Sequence, residues 1–213
     1  MTDYGVFIVE SLSLKDEKSK RLDGYILKQI LDLCKIKNQY FYIRTEVELR
    51  KIIEKFNESK LRYLHLSCHG SSNMIHLTFD PLFFDDLTDI IGPYIKNRRV
   101  FLSACNSTNI ALAKELIIHC QCYSVIGSPK KIGFDQSAVF WSGFYQRMNE
   151  IDSDSMKQSN MLALIEKLST AFELQINYYS FKRLENKDFD KTKIKEYLIR
   201  PNSPTKPKVI PVG

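Results

Sequence analysis

The sequence predicts an α/β fold in which helices cover both faces of a mostly parallel sheet. Short runs of β-branched and aromatic residues alternate along the chain with longer runs of helical periodicity, a pattern typical of that class. The chain has 213 residues, of which 44% are hydrophobic, and this is enough for one substantial domain with a sizeable core. We therefore expect strands that are buried on both faces, with the connecting segments forming the helical layers.

Five apolar segments are predicted to be the parallel strands, because each is rich in residues that favour a pleated conformation. In chain order they are 4–9, 39–43, 62–68, 99–104 and 122–128. The stretch 71–80 that follows the third strand looks like a small β excursion rather than a helix.

The segments between these strands show the spacing of amphipathic helices. They are 25–34, 45–56, 84–95, 108–120 and 134–148. The second of these helices begins with a capping box, since Thr45 is followed three positions later by Glu48. Gly92 and Pro93 are expected to end the third.

The remainder of the chain divides into a loop, a helix and a tail. The polar stretch 149–159 is predicted to be a loop, and 160–181 to be one long helix that covers the sheet. We expect a single domain over residues 1–181. Residues 182–213 are interpreted as a basic, Pro-containing C-terminal tail, extended or disordered.

The positive charge of the chain is concentrated in this tail. From residue 182 onward there are nine Lys or Arg and four Asp or Glu, so the tail carries 9 − 4 = +5 of the formal net charge of +6. The nearly neutral domain predicts no direct contact with nucleic acid. Nucleic-acid binding remains an alternative function, supported by the basic tail alone. The simpler role of such a tail is to keep the protein soluble.

The composition also predicts the compartment. The five cysteines are an odd number at irregular spacing, which favours a reducing environment over a disulfide framework. The first ten residues, "MTDYGVFIVE", show neither a basic leader nor a cleavage site, and no run is long enough to span a membrane. We expect a cytoplasmic protein without a membrane partner. The glycine patterns of nucleotide sites are absent, so no nucleotide cofactor is indicated.

Two of the predicted strands end in reactive residues. The segment "LHLSCHG" delivers His69 and Gly70, and "VFLSAC" delivers Cys105. Because neighbouring parallel strands end at one edge of a sheet, the imidazole and the thiol are expected side by side. A nearby His and a helix N-terminus both favour the thiolate that attacks a carbonyl, and the next helix is expected to begin near Ser107 or Thr108. The amides of Gly70 and Cys105 are expected to hold the developing oxyanion.

The other thiols and imidazoles are predicted to be structural. Taken singly, His69 and Cys105 would also more often be structural, but two strand ends of this kind together are more specific. Cys68 would point to the opposite face of the strand from His69, which makes it the weaker candidate for a nucleophile. His65 is expected to be packed, and the "HCQC" segment to contain buried Cys because it lacks a second pair at zinc-finger spacing. Three aromatic residues, Trp141, Phe144 and Tyr145, fit a packing stripe.

The segments "HLSCHGS", "VFLSACNS", "VIGSP" and "FDQSAVFWSGFYQRM" resemble the caspase-like cysteine peptidases of clan CD, and most closely the CHAT domain. The resemblance covers residues 63–148. It implies a three-layer αβα sandwich in which Cys105 attacks the scissile carbonyl, His69 protonates the departing amine, and the amides of Gly70 and Cys105 hold the oxyanion. It also implies no metal or organic cofactor, a protein substrate, and an activating or sensor partner in prokaryotic antiviral defence or signalling.

The chain departs from better-known relatives around the candidate nucleophile. Eukaryotic caspases carry Gln-Ala-Cys there, and metacaspases carry Asp where this chain has Ser103, so neither specificity transfers. Ser128, Pro129 and Asp135 are predicted to line the substrate site. Asp135 is also expected to cap the helix that follows. The segments expected to wall this site, 67–73, 103–109 and 127–137, contain no Arg that could pair with a substrate Asp. We therefore expect the substrate residue before the cleaved bond to be neutral or basic rather than Asp.

Two classes of function compete on these observations. The first is an intracellular cysteine endopeptidase that works through His69 and Cys105. The second is a catalytically idle CHAT-like interaction module, since a fold alone never guarantees chemistry. Both reactive residues are present in the sequence, and this favours the enzyme.

Overall fold

A sheet of ten strands forms the centre of the computed structural model, which describes residues 2–182 and 193–211. The strands are β1 Asp3–Ser11, β2 Asn38–Tyr42, β3 Leu61–Gly70, β4 Met74–His76, β5 Pro81–Phe83, β6 Arg99–Ser103, β7 Ser124–Gly127, β8 Ile176–Lys182, β9 Lys193–Ile199 and β10 Pro207–Pro211.

The order across the sheet is β10-β9-β8-β7-β6-β3-β1-β2, and the five strands from β2 to β7 on this path run parallel. They are the five strands that the sequence predicts. The small excursion after β3 is confirmed as a hairpin of β4 and β5, in which β4 pairs with the end of β3. In β3 and β6 the register sets Ser67 opposite Ser103, so both strands end at the same edge.

Helices cover both faces of the sheet, which confirms the predicted three-layer arrangement. They are α1 Leu14–Lys18, α2 Asp23–Leu33, α3 Glu46–Ser59, α4 Phe84–Ile91, α5 Ile110–Lys114, α6 Phe134–Asp152 and α7 Gln158–Ala171, with a 3₁₀ turn at Gly92–Tyr94 and a π-helical turn at Glu115–His119. α3, α4 and α5 pack on one face, and α2, α6 and α7 pack on the other. The aromatic stripe of α6 is confirmed in the second core, where Trp141, Phe144 and Tyr145 are buried.

The start of α3 shows how closely local sequence sets an element boundary. The Thr45 hydroxyl accepts from the Glu48 amide at 3.3 Å, and the Glu48 carboxylate accepts from the Thr45 amide at 2.9 Å. This is the predicted capping box, and it satisfies amides that the helix cannot pair internally. The helix ends at Ser59, and its C-cap residue Lys60 has a left-handed φ of 57°.

The prediction of one long helix over 160–181 is wrong in its second half. The helix α7 ends at Ala171, Glu173 turns the chain with a left-handed φ of 54°, and β8 then pairs antiparallel with β7. Tyr179 stands opposite Val125 in this pairing. The β-branched and aromatic content of β8 favours a strand, but the strand acquires its backbone partners only from β7, which is far away in the sequence.

The predicted loop over 149–159 is shorter in the structure. Helix α6 continues to Asp152 and α7 begins at Gln158, so the connection covers 153–157. The Asp152 carboxylate accepts from the amides of Ser155 at 3.0 Å and Lys157 at 2.8 Å. These charge-assisted hydrogen bonds lower the pKa of Asp152 far below its usual value.

Part of the predicted C-terminal tail, residues 182–213, belongs to the sheet. β9 pairs antiparallel with β8, and β10 pairs antiparallel with β9. Ile194 and Ile199 of β9 are five positions apart, so their side chains lie on opposite faces of the sheet and are buried one in each core. Residues 183–192 and 212–213 of the predicted tail lie outside the described residues.

Among the helices in the described part of the chain, none combines the length and the apolar character needed to cross a membrane.

Candidate active site

His69 and Cys105 lie at the ends of two strands that are direct neighbours. β3 and β6 pair in parallel, and each residue stands two positions beyond the opposed pair Ser67 and Ser103. Both residues are partly exposed. The structure therefore brings the predicted imidazole and thiol to one rim of the sheet.

The loop between β7 and α6 and the first residue of α6 touch the two residues. The Ile132 amide donates to the Cys105 Sγ at 3.4 Å, and the same Sγ lies 3.5 Å from the Ile132 carbonyl oxygen. Two residues later, the Phe134 ring meets the His69 ring edge to face, with ring centroids 5.4 Å apart. An N–H group directed at sulfur stabilises negative charge there, which is the charge a thiolate carries.

Gly70 lies against the backbone around Cys105. A Cβ on Gly70 would stand 2.8 Å from the Cys105 carbonyl oxygen and 3.1 Å from the Ala104 Cβ, so a side chain does not fit. Asn106 continues this turn with a left-handed φ of 57°, and its amide donates to the Lys130 carbonyl at 3.2 Å. The two strand-end loops are thus in van der Waals contact because position 70 is glycine.

The helix after Cys105 begins later than expected. α5 starts at Ile110 rather than near Ser107 or Thr108, and the Asn109 side chain caps it by accepting from the amides of Ala111 and Leu112. The α-helical part has five residues before the π-helical turn. The amides of Ala111 and Leu112 bind the Asn109 side chain, and the predicted helix start near Ser107 or Thr108 is two to three residues too early.

The three residues predicted to line the substrate site differ in their surroundings. Ser128 is buried, and its hydroxyl is bonded within its own turn, to the amide and the carbonyl of Lys130. Pro129 is half-buried and Asp135 is exposed. Asp135 is not the cap of α6, because Gly133 occupies the N-cap position and its amide donates to the Gln136 side chain at 3.2 Å. Asp135 instead adds negative charge to the first turn of that helix.

The predictions for Cys68, Cys122 and His65 agree with the structure, whereas Cys120 of the "HCQC" segment is only partly buried. Cys68 belongs to the core on the face of the sheet that α3 and α4 cover, and burial raises the pKa of its thiol strongly. Cys122 is completely buried. His65 is buried with its Nδ1 atom 3.2 Å from the Tyr145 hydroxyl, and burial lowers the pKa of the His65 imidazole to about 3.

A carboxylate that sequence reasoning missed contacts His69. The Oδ2 atom of Asp16, in α1, lies 2.8 Å from His69 Nε2. Asp16 is nearly enclosed, and its carboxylate also accepts from the Ser13 hydroxyl. A signal was present in the sequence, since "SLKD" at residues 13–16 has the spacing of a helix start and directly follows the end of β1.

A cluster of buried polar residues lies directly below the rim, and sequence reasoning missed its two carboxyl groups. Glu10, at the end of β1, is fully buried. Its carboxylate accepts from the amides of Gly24 at 2.8 Å and Tyr25 at 3.1 Å and from the Tyr40 hydroxyl at 2.7 Å. Burial and, next, the neighbouring Asp23 raise the pKa of Glu10 to about 7.

Asp23 completes this buried carboxyl cluster. Its two carboxylate oxygens accept from the hydroxyls of Ser67 and Ser103, each at 2.6 Å. Ser103 also contacts the Ser137 hydroxyl of α6. Burial raises the pKa of Asp23, although these hydrogen bonds oppose the shift. The cluster ties α2 and α6 to the residues two positions before His69 and Cys105. The sequence signal for this cluster was the repeated "LS" of "LSCH" and "LSAC", which contains Ser67 and Ser103.

The described residues contain no candidate metal site. Within residues 2–182 and 193–211, no three His, Cys, Asp or Glu side chains are placed to hold a metal ion. All five thiols are free.

Comparison with known proteins shows similarity at the level of structure. No protein-family model matches the chain, and no curated protein sequence matches it. An X-ray structure of a secreted C11 cysteine protease from Bacteroides thetaiotaomicron, "iotapain", aligns with a TM-score of 0.51 and 10% sequence identity, over 84% of this chain and 66% of that chain. This chain thus spans just under two thirds of the length of its neighbour. The likeness confirms the predicted caspase-like α/β fold with its mostly parallel sheet.

Proposed function

We propose that this chain is a cysteine endopeptidase in which Cys105 is the nucleophile and His69 is the general acid and base. The observation that carries the proposal is the parallel pairing of β3 and β6, which ends with an imidazole and a thiol on adjacent strands. The fold shared with a C11 cysteine protease supports it. So does the contact of Cys105 and His69 with one short stretch of chain, through Ile132 in the loop before α6 and Phe134 at its start.

The proposed reaction has two halves. His69 takes the Cys105 proton, the sulfur attacks the scissile carbonyl carbon, and a C–S bond forms. The C–N bond then breaks as His69 returns the proton to the leaving amine, and a thioester remains. Water attacks this thioester with His69 as base, which releases the acid product and restores the thiol.

The amides of Gly70 and Cys105 are the proposed donors to the oxyanion. Among the described residues, the Cys105 amide donates to no backbone or side-chain acceptor, and its neighbour Asn106 donates to Lys130. Because Gly70 has no side chain, its backbone packs directly against that of Cys105, so the two proposed donors lie in adjoining turns. Preorganised backbone donors of this kind stabilise the tetrahedral intermediate without reorganisation during the reaction.

We further propose that this endopeptidase is CHAT-like and acts on a partner protein. It rests on the motif resemblance around His69, Cys105 and residues 125–148. We propose a cytoplasmic effector in prokaryotic defence or signalling, switched on by an activating or sensor protein. Ser128, Pro129 and Asp135 are proposed to border the substrate, with Pro129 and Asp135 the more accessible of the three.

Alkylation and peptide cleavage together test the dyad. Iodoacetamide is expected to modify Cys105 faster than the other four thiols, because Cys68 and Cys122 are buried and burial raises the pKa of the Cys120 thiol to about 11. Cys105→Ala is expected to abolish cleavage of a fluorogenic peptide library, and His69→Ala to abolish nearly all of it. The double variant should be little worse than either single variant, because the two residues act as a unit.

Cys34→Ser is the matched control, since it removes a half-buried thiol at the end of α2, away from the rim. Its cleavage rate is expected to equal that of the wild type. Turnover that survives in Cys105→Ala, or preferential alkylation of Cys68 at neutral pH, would contradict the assignment of the nucleophile. A wild-type chain that binds peptides without cleaving them would favour the idle interaction module.

A further inference from the structure

The contact between Asp16 and His69 assigns the two ring nitrogens different tasks. Asp16 Oδ2 lies 2.8 Å from His69 Nε2, and the side chains are 11% and 38% exposed respectively. A carboxylate can only accept a hydrogen bond, so Nε2 carries the hydrogen. In the neutral ring the lone pair is then on Nδ1, the other nitrogen.

Asp16 is itself held in place. It is the third residue of α1, its amide donates to the Ser13 Oγ at 3.2 Å, and Ser13 donates back to the carboxylate. Arg21 lies 3.7 Å from the second carboxylate oxygen. Although burial alone raises the pKa of Asp16, hydrogen bonds from Ser13 and His69 outweigh it and lower this pKa below its usual value. The carboxylate is therefore an anion in a fixed position at neutral pH.

The segment that carries Asp16 has a second, separate anchor. The next residue, Glu17, accepts from the Tyr42 hydroxyl at 2.7 Å and from the Arg44 guanidinium at 2.8 and 2.9 Å. These bonds attach α1 to β2 without using Asp16. The segment therefore has an attachment to β2 that does not depend on the Asp16 carboxylate, and His69 is the hydrogen-bond partner that this carboxylate has outside α1 and its N-cap.

We propose that Asp16 is a positioning residue that keeps the His69 hydrogen on Nε2 and leaves Nδ1 to exchange the proton with Cys105. This inference rests on the proposed peptidase function. After the thiol proton has moved to Nδ1, Asp16 also stabilises the imidazolium, and the proton passes from Nδ1 to the leaving amine. Asp16 itself stays ionised throughout, so the proton balance of the reaction is unchanged.

The test compares Asp16→Ala with Glu17→Gln, which changes a neighbouring carboxylate of the same helix that faces Tyr42 and Arg44 instead. In ¹⁵N-resolved spectra of the four His residues, the wild type and Glu17→Gln are expected to show a downfield Nε2–H proton for His69, which Asp16→Ala loses. With the best peptide from the library, Asp16→Ala is expected to lower kcat about 10- to 100-fold, with KM changed by less than about twofold.

An unchanged His69 proton signal in Asp16→Ala, or a kcat within about twofold of that of Glu17→Gln, overturns the inference. Folding of each variant is checked by the fluorescence of Trp141. If Asp16→Ala does not fold, Asp16→Asn carries the kinetic comparison with the same fall in kcat expected, because an amide cannot stabilise the imidazolium. If the wild type cleaves nothing, the proposed function fails, whereas the His69 signal, read without substrate, still decides the role of Asp16.

Discussion

Replacing Glu10 by Gln is expected to make the stability of the protein less dependent on pH. Glu10 is fully buried beside Asp23. Burial, with Asp23 as the second cause, raises the pKa of Glu10 from its ordinary 4.5 to about 7. At roughly 1.4 kcal/mol per pKa unit, the ionised side chain costs the folded state about 3 kcal/mol.

The direction in which the free energy of unfolding changes with pH follows from whether the folded or the unfolded chain holds the Glu10 proton more tightly. Below pH 4.5, the carboxyl is protonated in both the folded and the unfolded chain, and the cost is absent. Between pH 4.5 and about 7, the unfolded chain loses the proton while the folded chain keeps it, so the free energy of unfolding falls as pH rises. Above about 7 the loss is complete. Glu10→Gln lacks this loss, so its free energy of unfolding relative to the wild type should rise by about 3 kcal/mol across that range.

Urea unfolding at a series of pH values from about 4 to 8.5 measures this difference, followed by the fluorescence of the single Trp, which is buried in the core. The altered hydrogen bonds of Gln shift the whole curve by a constant and do not affect its slope. Glu54→Gln, at an exposed position of α3, is the control and should run parallel to the wild type. Parallel curves for Glu10→Gln as well would refute the reasoning, because Glu10 would then ionise in the folded protein as it does in water.

Two further predictions concern the loop after α6 and the substrate. The loop between α6 and α7 follows the strands that carry His69 and Cys105, so we predict that cutting it is not required for activity. Asp152→Ala and Asp154→Ala should each leave the cleavage rate within about twofold of wild type, and a large loss of rate in either variant would indicate that the chain must cut itself in this loop. Only Asp152→Ala should lower the free energy of unfolding, by about 1 kcal/mol, because Asp152 accepts from the Ser155 and Lys157 amides. Peptides with a neutral or basic residue before the cut should outperform matched Asp peptides in a positional-scanning library. The Asp16 carboxylate, whose pKa hydrogen bonds from Ser13 and His69 lower, places negative charge beside the rim, and this charge repels an Asp side chain. Selective turnover of Asp peptides would show that the pocket assignment is wrong.

Much of the fold follows from patterns that are local in the sequence. The parallel strands, the hairpin after β3 and the capping box of α3 are all readable because their signals lie within a few residues of one another. The second half of the segment 160–181 is different. β8 is a strand because it pairs with β7, and β9 in turn pairs with β8. Each of these segments adopts the strand conformation because the preceding strand supplies its backbone partners.

The sequence by itself determined that His69 and Cys105 end up on one rim, because neighbouring parallel strands finish at the same edge and each residue follows such a strand. It did not determine what surrounds them. Asp16 meets His69 across 53 positions of sequence, and Asp23 meets Ser103 across 80. Contacts over such separations depend on how β1, α1 and α2 fold back over the sheet. Only the tertiary structure decided which carboxylate touches the imidazole and which are buried beneath it, because polar side chains carry no periodic signal that predicts a distant partner.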